Sequence, residues 1–262
     1  MGIVNVTPDS FSDGGVHLSV PDAVAAARAM VSAGAGIVDI GGESTRPGAD
    51  PVALEEELGR VLPVVAELEG LSVSVDTSRA EVARQAVALG ASMVNDVTAL
   101  RREPELAEVV AESGTDLCLM HMQGEPRTMQ ASPHYEDVVS EVAAFLEERL
   151  RFAVDEGIAE ERICLDPGIG FGKTADQNLE LLRRLDRIAA IGRPVLVGVS
   201  RKSTLARIVE GPDARVGSDA ASVVAAVAAF DRGATLFRVH DVPAHVEALA
   251  VAAAIERGTV TR

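Results

Sequence analysis

The sequence predicts an α/β fold, a (β/α)8 barrel that forms one domain over residues 1–262. Eight short apolar runs each end at a polar or charged residue, and a helix-like segment follows each run. The runs lack strict alternation of apolar and polar residues, which is typical of parallel strands covered on both faces. Eight strand–helix units predict a closed barrel whose chemistry lies at the rim where the strands end.

The predicted elements follow from local signals along the chain. The apolar runs place strands at residues 3–6, 36–40, 72–76, 93–97, 116–121, 162–166, 195–199 and 235–239. Helices are predicted between them at residues 22–32, 78–88, 140–155, 204–210 and 220–231. Pro21 favours the first of these helix starts, and Gly34, Gly90, Gly157 and Gly233 mark helix ends.

Three strand-to-helix loops are unusually long, at residues 7–20, 41–54 and 122–136. Loops of this length at a barrel rim usually cover substrate.

Aromatic residues make up only 3% of the chain, so we expect a core of Ala, Val, Leu and Ile. Cys118 and Cys164 each lie inside an apolar strand run, and we expect both to be reduced and buried.

Charge and hydropathy exclude several classes of partner. The formal net charge of −16 argues against a nucleic-acid partner, because such a partner requires a basic face. An anionic substrate would need a local cluster of Arg and Lys to offset the repulsion from this negative net charge. The sequence has no long apolar run and no basic segment leading into an apolar one. We therefore expect a soluble, cytoplasmic protein that does not associate with membranes.

Polar side chains end three apolar runs of the predicted barrel. Asp76, Asn95 and Asp166 offer carboxylate and amide groups that could together bind a flat heterocycle rich in N–H donors. We expect Lys202, which follows the seventh predicted strand, to lie close by at the rim, where it could contact a carbonyl oxygen of the same ligand. The alternative is that the three rim residues only cap their own loops.

A second group of rim residues is cationic. Arg238 and His240 lie two residues apart on the predicted eighth strand, so we expect their side chains to point the same way. Asn5 on the first strand becomes their neighbour once the barrel closes. An Arg, a His and an amide oxygen suit a diphosphate–metal site. The alternative is that Arg238 pairs with a local carboxylate such as Asp241.

The segment SRKS at residues 200–203 precedes the helix predicted at residues 204–210. Ser203 would lie near the N-terminus of that helix, where backbone N–H groups and the helix dipole favour an anion such as a substrate carboxylate. The alternative is that Ser203 is a plain N-cap.

Two other chemistries are disfavoured by the residues present. The run PGIGFGKT at residues 167–174 misses a phosphate-binding P-loop because Pro167 stands where the first glycine belongs. A zinc hydrolase on a barrel lacks its ligands, because the first strand has no His-x-His pair, and His121 and His240 are too few.

Eight segments of the chain resemble the signatures of the dihydropteroate synthase family. Two are the loop sequences MGIVNVTPDSFSDGG at residues 1–15 and GGESTRPG at residues 41–48. The others, in chain order, are SVDT (74–77), VNDV (94–97), LMHMQG (119–124), LDPGIGFGK (165–173), SRKS (200–203) and RVHD (238–241). Each segment is weak by itself, but together they cover the chain in order and are highly specific.

The resemblance implies the reaction of that family. Its members condense (7,8-dihydropterin-6-yl)methyl diphosphate with 4-aminobenzoate in an SN1-like reaction that yields 7,8-dihydropteroate and diphosphate, a step of folate biosynthesis. It also implies Mg2+ as cofactor, with Asn5 as its ligand from the protein, and a homodimer. Helices rich in small residues, at 220–230 and 244–255, would suit close packing between two copies.

The site residues that the resemblance implies fall into four groups. Those that would bind the pterin are Asp76, Asn95, Asp166 and Lys202. Those that would lie around the diphosphate are Thr45, Arg238 and His240. Those that would line the aminobenzoate pocket are Phe171 and Ser203. Those in two mobile loops that order over the aminobenzoate are Phe11, Asp13, Arg46 and Pro47. The expected catalytic residues are Asp13, Arg46, Lys202, Arg238 and His240.

Two features depart from the family pattern. A pair of strands usually precedes the first barrel strand, whereas this sequence begins within that strand. An aromatic residue is common at the position of Thr204, and we expect the threonine to loosen packing there. Two alternative functions stay open, a binding-only paralogue that keeps the pterin pocket and a pterin-dependent methyltransferase of the same barrel superfamily.

Overall fold

The computed structural model describes residues 1–7, 19–45 and 48–260. Within these residues eight parallel strands form one sheet in the order of the sequence, as predicted. The strands are β1 Gly2–Asn5, β2 Val38–Gly41, β3 Val73–Asp76, β4 Met93–Asp96, β5 Asp116–Met120, β6 Ile163–Asp166, β7 Val195–Val197 and β8 Ala234–Phe237.

The sheet curls until its last strand meets its first. Val239, just beyond β8, forms a parallel bridge with Gly2, and its carbonyl accepts a hydrogen bond from Ile3 N at 3.0 Å. Each strand is joined to the next by at least one helix, so the architecture matches a (β/α)8 barrel. Because all strands run the same way, their carboxyl ends meet at one rim.

The described residues contain ten α-helices and a short 3₁₀ turn at Glu160–Arg162. The helices are α1 Val20–Ser32, α2 Leu54–Glu67, α3 Ala80–Ala88, α4 Leu106–Ser113, α5 Val138–Asp155, α6 Ala175–Arg183, α7 Asp186–Ala189, α8 Ser203–Glu210, α9 Asp219–Phe230 and α10 Val242–Arg257. No helix in this part of the chain combines the length and the apolar character needed to cross a membrane.

Side-chain caps explain half of the helix starts in the described residues. Ser19, Asp137 and Ser218 each accept a hydrogen bond from the first turn of the helix that follows. Thr174 forms a capping box with Gln177 at the start of α6. The helix predicted to begin at residue 78 starts two residues later, because the Ser78 hydroxyl bonds to the buried Asp96 carboxylate at 2.5 Å.

Two strands end two residues earlier than predicted. β7 ends at Val197 instead of residue 199, and β8 ends at Phe237 instead of residue 239. The prediction that Arg238 and His240 lie on the eighth strand is therefore wrong. They follow it directly, in a segment that still pairs with β1 through Val239.

The core is aliphatic, as the composition predicts. Ala, Val, Leu and Ile side chains from the strands and the inner faces of the helices form one large buried cluster. A smaller cluster comes from four neighbouring strands and contains Met93, Cys118, Cys164 and Leu196. Both cysteines are buried and free, which confirms the expectation for them.

Candidate active site

One cavity of about 720 Å³ collects the predicted site residues. All members of the predicted set that the structure describes line this cavity, namely Asn5, Thr45, Asp76, Asn95, Asp166, Phe171, Lys202, Ser203, Arg238 and His240. The remaining members lie outside the described residues, namely Phe11, Asp13, Arg46 and Pro47. The lining residues come from the carboxyl ends of strands and from the segments that follow them, so the fold brings together residues far apart in sequence.

Arg238 forms the centre of the cavity floor. Its Nε lies 2.5 Å from Asp39 Oδ2 and its Nη2 lies 2.7 Å from Asp76 Oδ2. Asp39 also accepts a hydrogen bond from Asn95 Nδ2 at 3.2 Å, which turns the amide oxygen of Asn95 away from that carboxylate. Asp39 ends an apolar run like the other rim residues, but the sequence pattern assigned it no role.

The pairing of Arg238 corrects one prediction. The alternative that Arg238 pairs with Asp241 is wrong, because the Asp241 carboxylate accepts from Ala244 N and caps α10. Within the described residues, Nη1 of Arg238 makes no hydrogen bond. His240 lines the same cavity, with Nδ1 2.8 Å from the Ser200 hydroxyl.

The two acidic residues of the floor are shifted toward neutrality. Burial raises the pKa of Asp76 to about 7, and the nearby Asp39 and Glu57 add to the rise while Arg238 opposes it. Burial raises the pKa of Asp166 to about 6, against the Gly168 N–H and the Lys202 charge, which both lower it. Perturbed carboxyl groups that share one cavity are typical of functional sites.

The residues after β6 form a tight glycine-rich loop at residues 167–174. Asp166 Oδ1 accepts from Gly168 N at 2.7 Å, so Asp166 caps this loop and faces the cavity as well. Gly168 has φ +67°, and a Cβ there would lie only 1.9 Å from the His121 carbonyl oxygen. The loop therefore depends on glycine at this point.

Lys173 holds the same loop from inside. Its Nζ lies 3.0 Å from the carbonyl oxygens of Gly168 and Phe171 and 2.9 Å from Nδ1 of His121. Burial lowers the pKa of Lys173 to about 7 and that of His121 to about 2, so the imidazole is neutral and can accept the hydrogen bond. The sequence analysis did not predict the contact between Lys173 and His121. The glycines that precede Lys173 were the main sequence feature that could have indicated it.

Lys202 and Ser203 lie where β7 turns into α8. Arg201 has φ +57°, a left-handed conformation held by a hydrogen bond from its N–H to Ser222 Oγ and an ion pair with Asp219. Lys202 Nζ lies 4.3 Å from the centre of the Phe171 ring, which is cation–π contact. The alternative that Ser203 is the N-cap is wrong, because Lys202 occupies that position and Ser203 is the first helical residue.

The charge of the cavity lining contrasts with the acidic chain. Six Lys and Arg side chains line it, namely Lys173, Arg201, Lys202, Arg207, Arg215 and Arg238. Arg201 and Arg238 are ion-paired, whereas Arg207 and Arg215 have no ion pair with the described residues. This is the local cluster that an anionic substrate would need on a chain with net charge −16.

A metal centre built from protein ligands alone is absent from the described residues, which contain no group of three His, Cys, Asp or Glu placed to hold a metal ion. Mg2+ often needs only one or two protein oxygens when phosphates and water supply the rest. Asn5 lines the cavity, and its Oδ1 lies close to Gly41. A Cβ added to Gly41 would lie 3.6 Å from this oxygen. This donor fits a water-rich Mg2+ that is held mainly by a diphosphate.

The chain is similar to known proteins over nearly its full length. The sequence profile of the pterin binding enzyme family matches residues 1–240. Dihydropteroate synthase of Escherichia coli K12 is 50% identical over 256 residues, which covers 96% of this chain and 89% of that protein. Dihydropteroate synthase of Synechocystis is 47% identical and covers 98% of this chain and 90% of that protein.

Solved structures of the same kind superpose closely. A Yersinia pestis dihydropteroate synthase in complex with a sulfonamide drug has a TM-score of 0.92 and 44% identity, covering 98% of this chain and 93% of its own. A Xanthomonas albilineans dihydropteroate synthase in complex with 7,8-dihydropteroate has a TM-score of 0.84 and 45% identity, covering 97% and 92%. The chain therefore belongs to the dihydropteroate synthases, transferases of folate biosynthesis within the pterin binding enzyme family.

The close approach at Gly168 leads to a prediction. Gly168→Ala should destabilise the fold by about 2 kcal/mol more than Gly192→Ala, because both positions have positive φ but only the first meets another backbone. The φ at Gly192 is +91°, and no atom lies within 4 Å of an added Cβ there. Urea unfolding of the two variants measures the difference, and equal losses would show that the contact with His121 is not a constraint.

Proposed function

We propose that this cavity, at the carboxyl-end rim of the strands, is the active site at which the chain condenses (7,8-dihydropterin-6-yl)methyl diphosphate with 4-aminobenzoate. The observation that supports this most is the grouping of an acidic and amide wall with an arginine, a histidine and a lysine in one cavity. The whole chain would act as a single pterin-binding domain. Solved relatives support the choice of ligands, since one Xanthomonas albilineans structure contains 4-aminobenzoic acid and another 7,8-dihydropteroate.

The pterin would bind against Asp76, Asn95 and Asp166. Both carboxylates are buried and can accept from the ring N–H and amino groups, which need acceptors when they leave water. The Asn95 amide is oriented by Asp39, so its oxygen is directed by the protein before the ligand arrives. Lys202, beside Phe171, would contact the ring carbonyl oxygen.

The diphosphate would bind beside these acceptors, at the cationic part of the cavity that Arg238 and His240 form. Nη1 of Arg238 and the His240 ring can donate to phosphate oxygens while Arg238 keeps its ion pairs with Asp39 and Asp76. Thr45 would lie beside the leaving group. Asn5 would hold the Mg2+ cofactor, which supplies further stabilisation of the negative charge on the departing diphosphate.

The reaction follows from these positions. The bond between the pterin methylene carbon and the diphosphate oxygen breaks, and both electrons leave with the diphosphate. Arg238 and His240 stabilise that developing charge. The methylene cation is stabilised by the electron-rich ring, and the family resemblance adds Asp13, which lies outside the described residues. The neutral amine of 4-aminobenzoate then forms the C–N bond and releases a proton.

The arylamine would be held between the loop after β6 and the start of α8. Phe171 and Ser203 line this part of the cavity, and the first turn of α8 offers its N-terminus to the carboxylate. Phe11, Asp13, Arg46 and Pro47 would close over it from the two long loops. Their closure would exclude water, which otherwise captures the cation.

A product assay tests this function. The protein, pterin diphosphate and 4-aminobenzoate should give dihydropteroate with Mg2+ and much less after chelation. Lys202→Ala should lower turnover at least about tenfold with little change in melting temperature, because rim residues contribute little to the core. Arg187→Ala, which removes an exposed charge on α7, is the matched control. Correctly folded wild-type protein that forms no product would refute the function.

The raised pKa values predict how pterin binding depends on pH. Affinity should fall at least about tenfold from pH 8 to pH 5, because protonation of Asp76, with its pKa of about 7, and then Asp166, at about 6, removes acceptors. The same two groups should affect the stability of the fold in the direction opposite to their effect on affinity. Their folded pKa values lie above the unfolded ones, so their contribution to stability grows as pH falls from about 7 toward 4.

Calorimetric titration of a hydroxymethyl dihydropterin across this pH range, with melting temperatures recorded in parallel, separates the two effects. An affinity that stays constant from pH 8 to pH 5 would contradict a role of these carboxylates as acceptors.

We also propose that two copies associate through α9 and α10. These two helices pack on each other and expose Val224 at 70%, Val251 at 56% and Ile255 at 75%. Light scattering should give twice the 27.3 kDa chain mass. Val251→Asp should shift the mass toward one chain, whereas Val154→Asp on α5 should not. A single-chain mass for the wild-type protein at micromolar concentration would contradict the proposal.

A further inference from the structure

The backbone of Gly170, which we call the Gly170 peptide, is held through its N–H and its carbonyl by side chains from separate elements. Its N–H donates to Asn178 Oδ1 on α6 at 2.8 Å, and its carbonyl accepts from Gln130 Nε2 in the loop after β5 at 2.6 Å. Gly170 has φ +86°, a left-handed conformation that occurs in neither a regular helix nor a strand. The hydrogen bonds of regular secondary structure therefore do not stabilise it. The orientation of the peptide therefore depends on these two side chains.

Asn178 is in turn oriented by Thr204. Its Nδ2 donates to Thr204 Oγ1 at 3.0 Å, which joins α6 to α8. The exposed fractions are only 2% for Asn178 and 3% for Thr204, so water does not replace either bond easily. The amide has its oxygen on Gly170 and its nitrogen on Thr204, and a flip would place its NH2 donors against the Gly170 N–H, which is also a donor. Thr204, at which the family resemblance led us to expect looser packing, is thus buried and hydrogen-bonded.

The Gly170 peptide lies directly beneath two residues of the proposed site. A Cβ added to Gly170 would lie 3.2 Å from Cδ and 3.5 Å from Nζ of Lys202. Phe171 is the next residue, and its ring lies under the same Nζ. A change in the Gly170 peptide would therefore move both the lysine and the aromatic ring. Close packing allows little independent adjustment.

We propose that Asn178 and Thr204 are positioning residues, which hold the Gly170 peptide so that Lys202 and Phe171 are oriented before substrate binds. The inference rests on the proposed function, since it assigns these two residues to the same cavity. Both residues also line the cavity, but their side-chain polar atoms bond to each other and to Gly170, so we assign their effect to Gly170 and not to contact with the reacting atoms. Loss of the Thr204 hydroxyl leaves Asn178 Nδ2 buried without a partner, and the amide must turn to find one.

Paired variants of Thr204 test the proposal. Thr204→Val keeps the shape and removes the hydroxyl, and should lower kcat/KM for 4-aminobenzoate about tenfold. Thr204→Ser keeps the hydroxyl and should restore most of that loss. Thr115→Val is the matched control, because it removes another buried threonine hydroxyl, bonded to Ser113 at 2.9 Å just before β5 and outside the cavity lining. Melting temperatures of the two valine variants should be within a few degrees of each other.

Hydrogen exchange supplies a readout that does not need turnover. The Gly170 amide should exchange faster in Thr204→Val, and at the wild-type rate in Thr204→Ser and Thr115→Val. Wild-type exchange in Thr204→Val, or a serine variant that behaves like the valine one, would overturn the inference. An inactive wild-type protein would instead refute the proposed function, so the two failures are distinguishable.

Discussion

A partly buried arginine joins three strands and determines the shape of the cavity floor. Arg238, just after β8, bonds to Asp39 on β2 and Asp76 on β3, on the far side of the closing seam. Two buried carboxylates without a cation would cost several kcal/mol, so the three side chains must remain together. Asn95 is attached to the same group through Asp39. The acceptors that face the cavity are therefore fixed before any ligand binds.

The opposite wall is fixed by contacts of a different kind. Lys173 bonds to carbonyl oxygens of the loop after β6, and Gly168 allows that loop to approach His121. Asn178 and Gln130 hold the Gly170 peptide from two sides. Each wall thus uses contacts within the protein to orient the side chains that face the cavity. Such preorganisation is what a reaction with a developing charge requires.

The sequence predicted the elements better than their mutual contacts. Apolar runs that end at polar residues located all eight strands to within about two residues, since burial of a strand is a local signal. The ends of parallel strands meet, so Asp76, Asn95 and Asp166 were placed in one site. The partners of Arg238 and the bond from Asn178 to Thr204 were missed, because they depend on register and burial across the barrel. No local pattern encodes those.

The most direct measurement is a crystal structure of the protein with the pterin diphosphate bound. The account predicts the pterin ring against Asp76, Asn95 and Asp166, with the phosphates on Arg238 and His240 and the ion pairs of Arg238 still formed. A pterin ring bound elsewhere, or phosphates that contact neither Arg238 nor His240, would contradict the assignment of the cavity.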